Sequence, residues 1–202
     1  VHVLPGHIGS TFCVLGLAAR LLAGTPALAG EVTRFDIEHS DVGYHLQAEA
    51  LIDAPRDLVR RILTDYAKLP LVSPRILESA VIAGSPPGIT RVRTLNRVCF
   101  LVFCRNLRHV QLIRELGAGK FESTSVPAQS DLSYGHALWR LSSEGGATRL
   151  SIDFTFAINA DGWLPAFVGL FIARVVLREN TEELIQGIER VAGNPSEQTD
   201  RH

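Results

Sequence analysis

Tyr44-His-Leu-Gln-Ala-Glu-Ala-Leu-Ile-Asp-Ala-Pro-Arg-Asp-Leu-Val59 is the stretch on which the fold turns. Tyr44, Leu46, Ala48, Ala50 and Ile52 fall on one face and His45, Gln47 and Glu49 on the other, the period of a half-buried strand. Traced back to Phe35 and on to Ala54, the pattern reads as one strand. Asp53-Ala-Pro55 stops it, and Pro55, with φ already set, suits a first helical turn. Leu58, Val59, Ile62 and Leu63 then recur at helical spacing, giving a short amphipathic helix. Asp65-Tyr-Ala-Lys-Leu-Pro70 continues as a second short helix or turn.

Working outward, further strands are expected at 76–83, 89–99, 104–116, 119–126, 134–143 and 147–158, for about seven in all. Gly84-Ser-Pro-Pro-Gly88 and Glu144-Gly-Gly146 punctuate them. In the last strand Leu150, Ile152, Phe154, Phe156 and Ile158 alternate with Ser151, Asp153 and Thr155, one side core and one side wet. A closing helix is expected over 161–192, with Asp161 as cap and Pro165 in its first turn. Its first half, from Trp163 to Leu177, is apolar nearly all round and so asks to be covered on every side. Its second half is amphipathic, with Leu184, Ile185, Ile188 and Val191 as the inner stripe.

Strand, two short helices, a run of antiparallel strands and a long C-terminal helix is the element order of the helix-grip fold, an α+β architecture. The chain resembles the polyketide cyclase/dehydrase and lipid-transport superfamily, also called START-like, Bet v 1-like or SRPBCC. The resemblance covers roughly residues 35–192. It is carried by Ile52-Asp-Ala-Pro-Arg-Asp-Leu-Val59, by Leu63-Thr-Asp-Tyr-Ala-Lys-Leu-Pro70 and by Gly146-Ala-Thr-Arg-Leu150 leading into the last strand. It implies a curved antiparallel sheet gripping the last helix around a cavity for a lipid, quinone or polyketide-like molecule. Some members of the superfamily are enzymes and many are carriers, so fold alone does not choose between them.

The N-terminal residues bear on the compartment. Phe12 to Gly24 is almost wholly apolar, interrupted by Arg20, and Ala27-x-Ala29 is a small-x-small cleavage pattern. Residues 1–29 therefore read as a signal peptide cleaved after Ala29, with an uncleaved membrane anchor as the alternative. The expected location is periplasmic or secreted. Residues 30–192 form one ligand-binding domain, large enough for a sizeable core, and 193–202 read as a disordered tail.

Cleavage would remove Cys13 and leave Cys99 and Cys104, and an even count in an oxidising compartment favours a disulfide. They bracket Phe100-Leu101-Val102-Phe103. On one continuous strand, residues five apart point to opposite faces; with a turn over 100–103 they oppose each other across a hairpin. Three readings follow: a clasped hairpin with an apolar tip, a continuous strand with free thiols, or a weak metal site. The clasped tip would meet a membrane or form the mouth of a cavity.

Pairing 99 with 104 sets a register. One face would carry Arg91, Arg93, Arg97, Arg108 and Arg114; the other Val92, Thr94, Asn96 and Val98 beside Leu107, His109, Gln111 and Ile113. If the second face lines a cavity, Thr94, Asn96, His109 and Gln111 are candidate partners for a ligand's polar end. A one-residue slip would turn them out to solvent. Trp139, Trp163 and Phe167 complete the candidate ligand residues, Trp163 and Phe167 near the mouth.

Twenty Lys and Arg against 21 Asp and Glu, a net charge of −1, argue against nucleic acid as partner. No metal-binding spacing, phosphate loop or GxSxG elbow is present, so no cofactor, no metal and no catalytic residue is assigned. Glu49 and Asp153 fall at outward positions, whereas Glu122 is a candidate inward carboxylate. The expected function is binding and transfer of a hydrophobic or amphipathic molecule, with peripheral membrane contact possible. The alternatives are a cyclase/dehydrase-type enzyme and a protein-interaction module using the apolar tip.

Overall fold

The computed structural model describes residues 30–100, 102–158 and 169–194, apart from the side chains of Phe100 and Phe103. The expected leader, Leu101, the helix start with Trp163 and Phe167, and nearly all of the expected tail lie outside the described residues.

The alternation that reads as one strand from Phe35 is a hairpin. β1 (Glu31–Ser40) and β2 (Gly43–Ile52) pair in register from Ser40↔Gly43 back to Phe35↔Ala48, with Asp41 and Val42 as the turn. Inward residues are odd-numbered on β1, as at Ile37, and even-numbered on β2, as at Leu46. A two-residue turn forces this change of parity, and Gly43 takes φ +122, where a Cβ would meet the carbonyl oxygen of Phe156.

After β2 come α1 (Arg56–Thr64), a 3-10 turn (Tyr66–Lys68) and α2 (Leu69–Val72). The chain then runs through β3 (Ile76–Val81), β4 (Ile89–Phe100), β5 (Phe103–Gly117), β6 (Lys120–Ser125), β7 (Leu132–Glu144) and β8 (Ala147–Ile158) to α3 (Gly169–Gly193). The described sheet has eight strands in the order β1-β2-β8-β7-β6-β5-β4-β3, one more than expected because of the first hairpin. β3 to β8 form a meander, and β8 closes it by pairing with β2 from Tyr44↔Phe156 to Ile52↔Thr148.

α3 crosses the inner face of this sheet, touching β1 and β2 on one side and β4 on the other. Ile185, Ile188 and Val191 pack on Ala48, Ala50, Ile52, Leu150 and Ile152, and α1 adds Val59 and Ile62 to the same core. The small side chains at 48 and 50 leave room for the helix. At Gly187 a Cβ would collide with the carbonyl oxygen of Val72, so α3 and α2 meet backbone to backbone. Buried Thr148 donates to the carbonyl of Ala54 at 2.6 Å, satisfying the bend between β2 and α1.

Candidate ligand-binding cavity

The β4–β5 register decides which side chains face α3. Cys99 pairs with Cys104, Thr94 with His109 and Ile89 with Arg114, in the expected alignment. The cysteines are bridged, with Cα atoms 4.0 Å apart. Phe100 pairs with Phe103, so the ladder runs one pair beyond the clasp.

That register places Asn96, Val98, Leu107 and His109 on the wall of a cavity of about 270 Å³ between the sheet and α3. Phe154, Phe156 and Tyr44 continue the wall across β8 and β2, stacked with ring centroids 4.7 Å and 5.5 Å apart. Ile172, Ala173, Val176, Leu177 and Asn180 of α3 form the opposite side. A second cavity of about 160 Å³ lies between β5–β7 and the α1 region, lined by Gln111, Ile113, Ser123, Trp139, Tyr66 and Leu184 among others. His109 and Gln111 are two positions apart on one face of β5, and Asn180 and Leu184 are one turn apart on α3. The two chambers are thus neighbours along both walls.

Of the candidate residues, Asn96 and His109 line the larger cavity, and Gln111 and Trp139 the smaller. Thr94 is buried behind them: its hydroxyl accepts from Asn96 Nδ2 at 2.8 Å and approaches the His109 carbonyl at 3.4 Å. His109 Nε2 and Ser125 Oγ lie 2.7 Å apart. Burial drives the His109 pKa down to about 4, because a desolvated imidazolium is disfavoured, and the ring is neutral at physiological pH.

Sequence reasoning missed Asn180 and the Tyr44–Phe156–Phe154 wall as cavity residues, and Ser125 as the partner that holds His109. The two phenylalanines were legible as the inner face of the last strand, but a core face and a cavity wall have the same pattern. Asn180 carries the sharper signal, a lone amide in a stripe otherwise made of Ile172, Ala173, Val176, Leu177 and Leu184. Its Oδ1 is buried without a hydrogen-bond partner.

Glu122 faces outward, contrary to the inward expectation. Its neighbours Phe121 and Ser123 take the buried positions, and its carboxylate meets His136 Nε2 at 3.0 Å and Arg114 at 3.9 Å on the outer face. Asp153 is also outward, 3.1 Å from His45, and Glu49 is 3.4 Å from Arg149. The arginine stripe lies on the outer face too, with Arg91 donating to Gln129 at 2.6 Å and Arg108 lying 3.8 Å from Asp131.

The apolar first half of the closing helix is not covered on every side by the described residues: Phe171 is 69% and Leu170 43% exposed. Val102, at the tip of the clasped hairpin, is 86% exposed. Among the described residues no three His, Cys, Asp or Glu side chains gather as metal ligands, and no helix is long and apolar enough to cross a membrane.

The family model described as polyketide cyclase / dehydrase and lipid transport matches residues 44–192. No curated protein matches the sequence. Similar solved structures include a Thermus thermophilus protein, 22% identical over 75% of this chain and 99% of its own, with a TM-score of 0.60. The Zhui aromatase/cyclase of Streptomyces sp. R1128 is 16% identical over 75% and 94%, with a TM-score of 0.60. A STAR-related lipid transfer protein of Xanthomonas axonopodis is 11% identical over 79% and 98%, with a TM-score of 0.59. At these identities the structures establish the helix-grip fold and nothing finer. With the match running from the start of β2 almost to the end of α3, this chain belongs to the polyketide cyclase/dehydrase and lipid transport family.

Proposed function

We propose that this protein binds a hydrophobic or amphipathic small molecule between its sheet and α3 and transfers it unchanged. The observation that carries this reading is the cavity of about 270 Å³, walled by Val98, Leu107, Phe154, Phe156, Ile172 and Val176 with only a few polar groups among them. Such a lining is typical of ligand sites. Removing ligand surface from water there contributes about 25 cal/mol per Å² of apolar area. The lipid transfer named for the Xanthomonas relative is consistent with a carrier.

Two features favour carriage over the chemistry named for the Streptomyces aromatase/cyclase. His109, with its pKa near 4, is a weak general base at neutral pH. Glu122, Asp153 and Glu49 all lie on the outer face of the sheet, away from the cavity.

Export belongs to the same reading. Ala27-x-Ala29 supplies a cleavage pattern, and a Cys99–Cys104 bridge suits an oxidising compartment. The exposed Val102, Leu170 and Phe171 supply apolar surface for a transient membrane contact during transfer.

Native mass spectrometry of the protein purified from its host, followed by solvent extraction, tests the proposal. A bound apolar molecule recovered with its mass unchanged after exchange into vesicles is the expected result. A ligand returned with altered mass would establish the enzyme reading instead. A protein that is empty and takes up no apolar probe would overturn both.

A further inference from the structure

The sheet ends on β1, and among the described residues no strand pairs with its open side. Such an edge is a row of N–H and C=O groups that either stays in water or finds another strand. β1 has 10 residues, against 6 for β3 at the other edge, and it precedes residue 44, where the family match begins. What this edge accepts is therefore set by the chain's own residues.

Pairing within the first hairpin fixes which groups are free. Ser40↔Gly43 closes a two-residue turn, which makes it a hydrogen-bonded pair. Bonding alternates from there, so Glu38 and Asp36 address β2, while His39, Ile37 and Phe35 turn their N–H and C=O groups to the open edge. Arg34, Asp36 and Glu38 lie on the outer face, opposite Glu49, Gln47 and His45. Phe35 and Ile37 lie on the inner face, Phe35 half-buried against the core. At Thr33 the register shifts, and the regular edge stops.

These charges discriminate between the ways one β1 could pair with another about a two-fold axis. An axis at Arg34, Asp36 or Glu38 sets that charge against its own copy, and an axis at Ile37 sets Asp36 against Glu38. Like charges directly opposed weaken a sheet. Axes nearer the turn leave too few residues to form a ladder. An axis at Phe35 opposes no like charges: Phe35 meets Phe35, Thr33 meets Ile37, and Arg34 meets Asp36 on both sides of the axis. It is also in phase, because the backbone of Phe35 faces the edge. Arg34 and Asp36 are each about half exposed, and Arg34 Nε already donates to Asp36 Oδ2 at 2.6 Å within the strand. Two such couples face to face alternate in sign around the axis.

We infer that β1 pairs with β1 of a second copy of this chain, antiparallel about an axis at Phe35, joining the two sheets edge to edge. The ladder runs from Thr33 to Ile37 on each copy. Antiparallel pairing reverses one copy, so the two clasped hairpin tips point in opposite directions and neither cavity is covered. The inference is independent of what the cavity holds.

Sedimentation velocity of the purified protein should show a dimer, run up to about 100 µM because so short a ladder makes a small, weak interface. Arg34→Asp opposes carboxylates at each contact and Asp36→Arg opposes guanidinium groups, so each variant alone should dissociate roughly tenfold more readily or worse. Mixed in equal amounts they should pair again, because every contact between the two variants then joins opposite charges. Recovery in the mixture also shows that both variants are folded. Wild-type protein that stays monomeric overturns the inference. Variants that dimerise as tightly as wild type overturn it by moving the interface off β1. An equimolar mixture no tighter than either variant alone overturns the axis at Phe35.

Discussion

His109 Nε2 rests 2.7 Å from Ser125 Oγ, a hydrogen bond joining β5 to β6 on the inner face of the sheet. It is possible only because position 135, on the neighbouring strand, is glycine, where a Cβ would overlap the Ser125 hydroxyl. The imidazole is thus fixed by its neighbours as a neutral polar group in an apolar wall, and its neutrality has a measurable consequence.

The folded-state pKa of about 4 lies below the ordinary histidine value, so between the two the unfolded chain binds the extra proton and the folded chain does not. The His109 contribution is therefore fully present above the ordinary value and is lost as pH falls toward about 4. The loss is on the order of 3 kcal/mol over that range. Urea titrations at neutral pH and near pH 5 should show about 2 kcal/mol of this fall in wild type. His109→Gln, which keeps a hydrogen-bonding side chain but does not titrate, should show much less of it. Equal pH dependence in both proteins would mean that His109 is charged or exposed in solution.

The Cys99–Cys104 bridge closes a loop with a sequence separation of only 5. So short a loop confers about 2 kcal/mol in the chain-entropy view. Cys99→Ser with Cys104→Ser should lower the urea midpoint accordingly. Because Val98 and Leu107 beside the clasp line the larger cavity, ligand affinity should fall with it. Intact-mass measurement should find wild type two hydrogens lighter before reduction than after. An unchanged mass would show free thiols and remove the clasp.

Gly187→Ala tests the approach of α3 to α2. In an exposed helix the change would gain about 1 kcal/mol. Here the new Cβ lands on the carbonyl oxygen of Val72, a backbone atom that cannot rotate away. A net loss of roughly 1–3 kcal/mol is expected, as for an overpacked core. Thermal denaturation that finds the variant as stable as wild type would mean that the two helices sit farther apart.

Glu189 holds the two ends of the first hairpin, accepting from the Gly30 nitrogen at 2.5 Å and from the Asp53 N–H at 2.7 Å. With cleavage after Ala29, the Gly30 nitrogen becomes a charged terminus facing a carboxylate. Under the export proposed above, N-terminal sequencing of the protein recovered outside the cytoplasm should begin at Gly30. Glu189→Gln should cost about 1 kcal/mol or more, the difference between a charge-assisted and a neutral bond. A terminus elsewhere would remove the ion pair.

Much of the fold was legible because its signals are local. The break at Asp53-Ala-Pro55, the amphipathic spacing of Leu58 to Leu63 and the turns at 84–88 and 144–146 act within a few residues. Helices and strands duly appear on either side of them. The β4–β5 register was legible for a further reason: pairing one cysteine with the other sets the parity of every residue on both strands, so Asn96 and His109 share a face. The β1–β2 hairpin was misread because Asp41-Val42 carries weak turn chemistry, although the change of inward parity across it was there to be found.

What the residues determine by themselves, then, is periodicity, punctuation and parity, each a property of short segments. Glu122 escaped that reading because its face depends on how β6 pairs with β5, across a register shift between Glu115 and Gly117. Asn180 escaped it because a helix side chain becomes a cavity wall only through the rotation and placement of α3 over the sheet. Whether an apolar position is packed core, like Ile185, or open wall, like Phe154, is decided by the distance between two layers. That distance is a sum over contacts far apart in the chain, such as Gly187 against Val72, and only the folded structure supplies it.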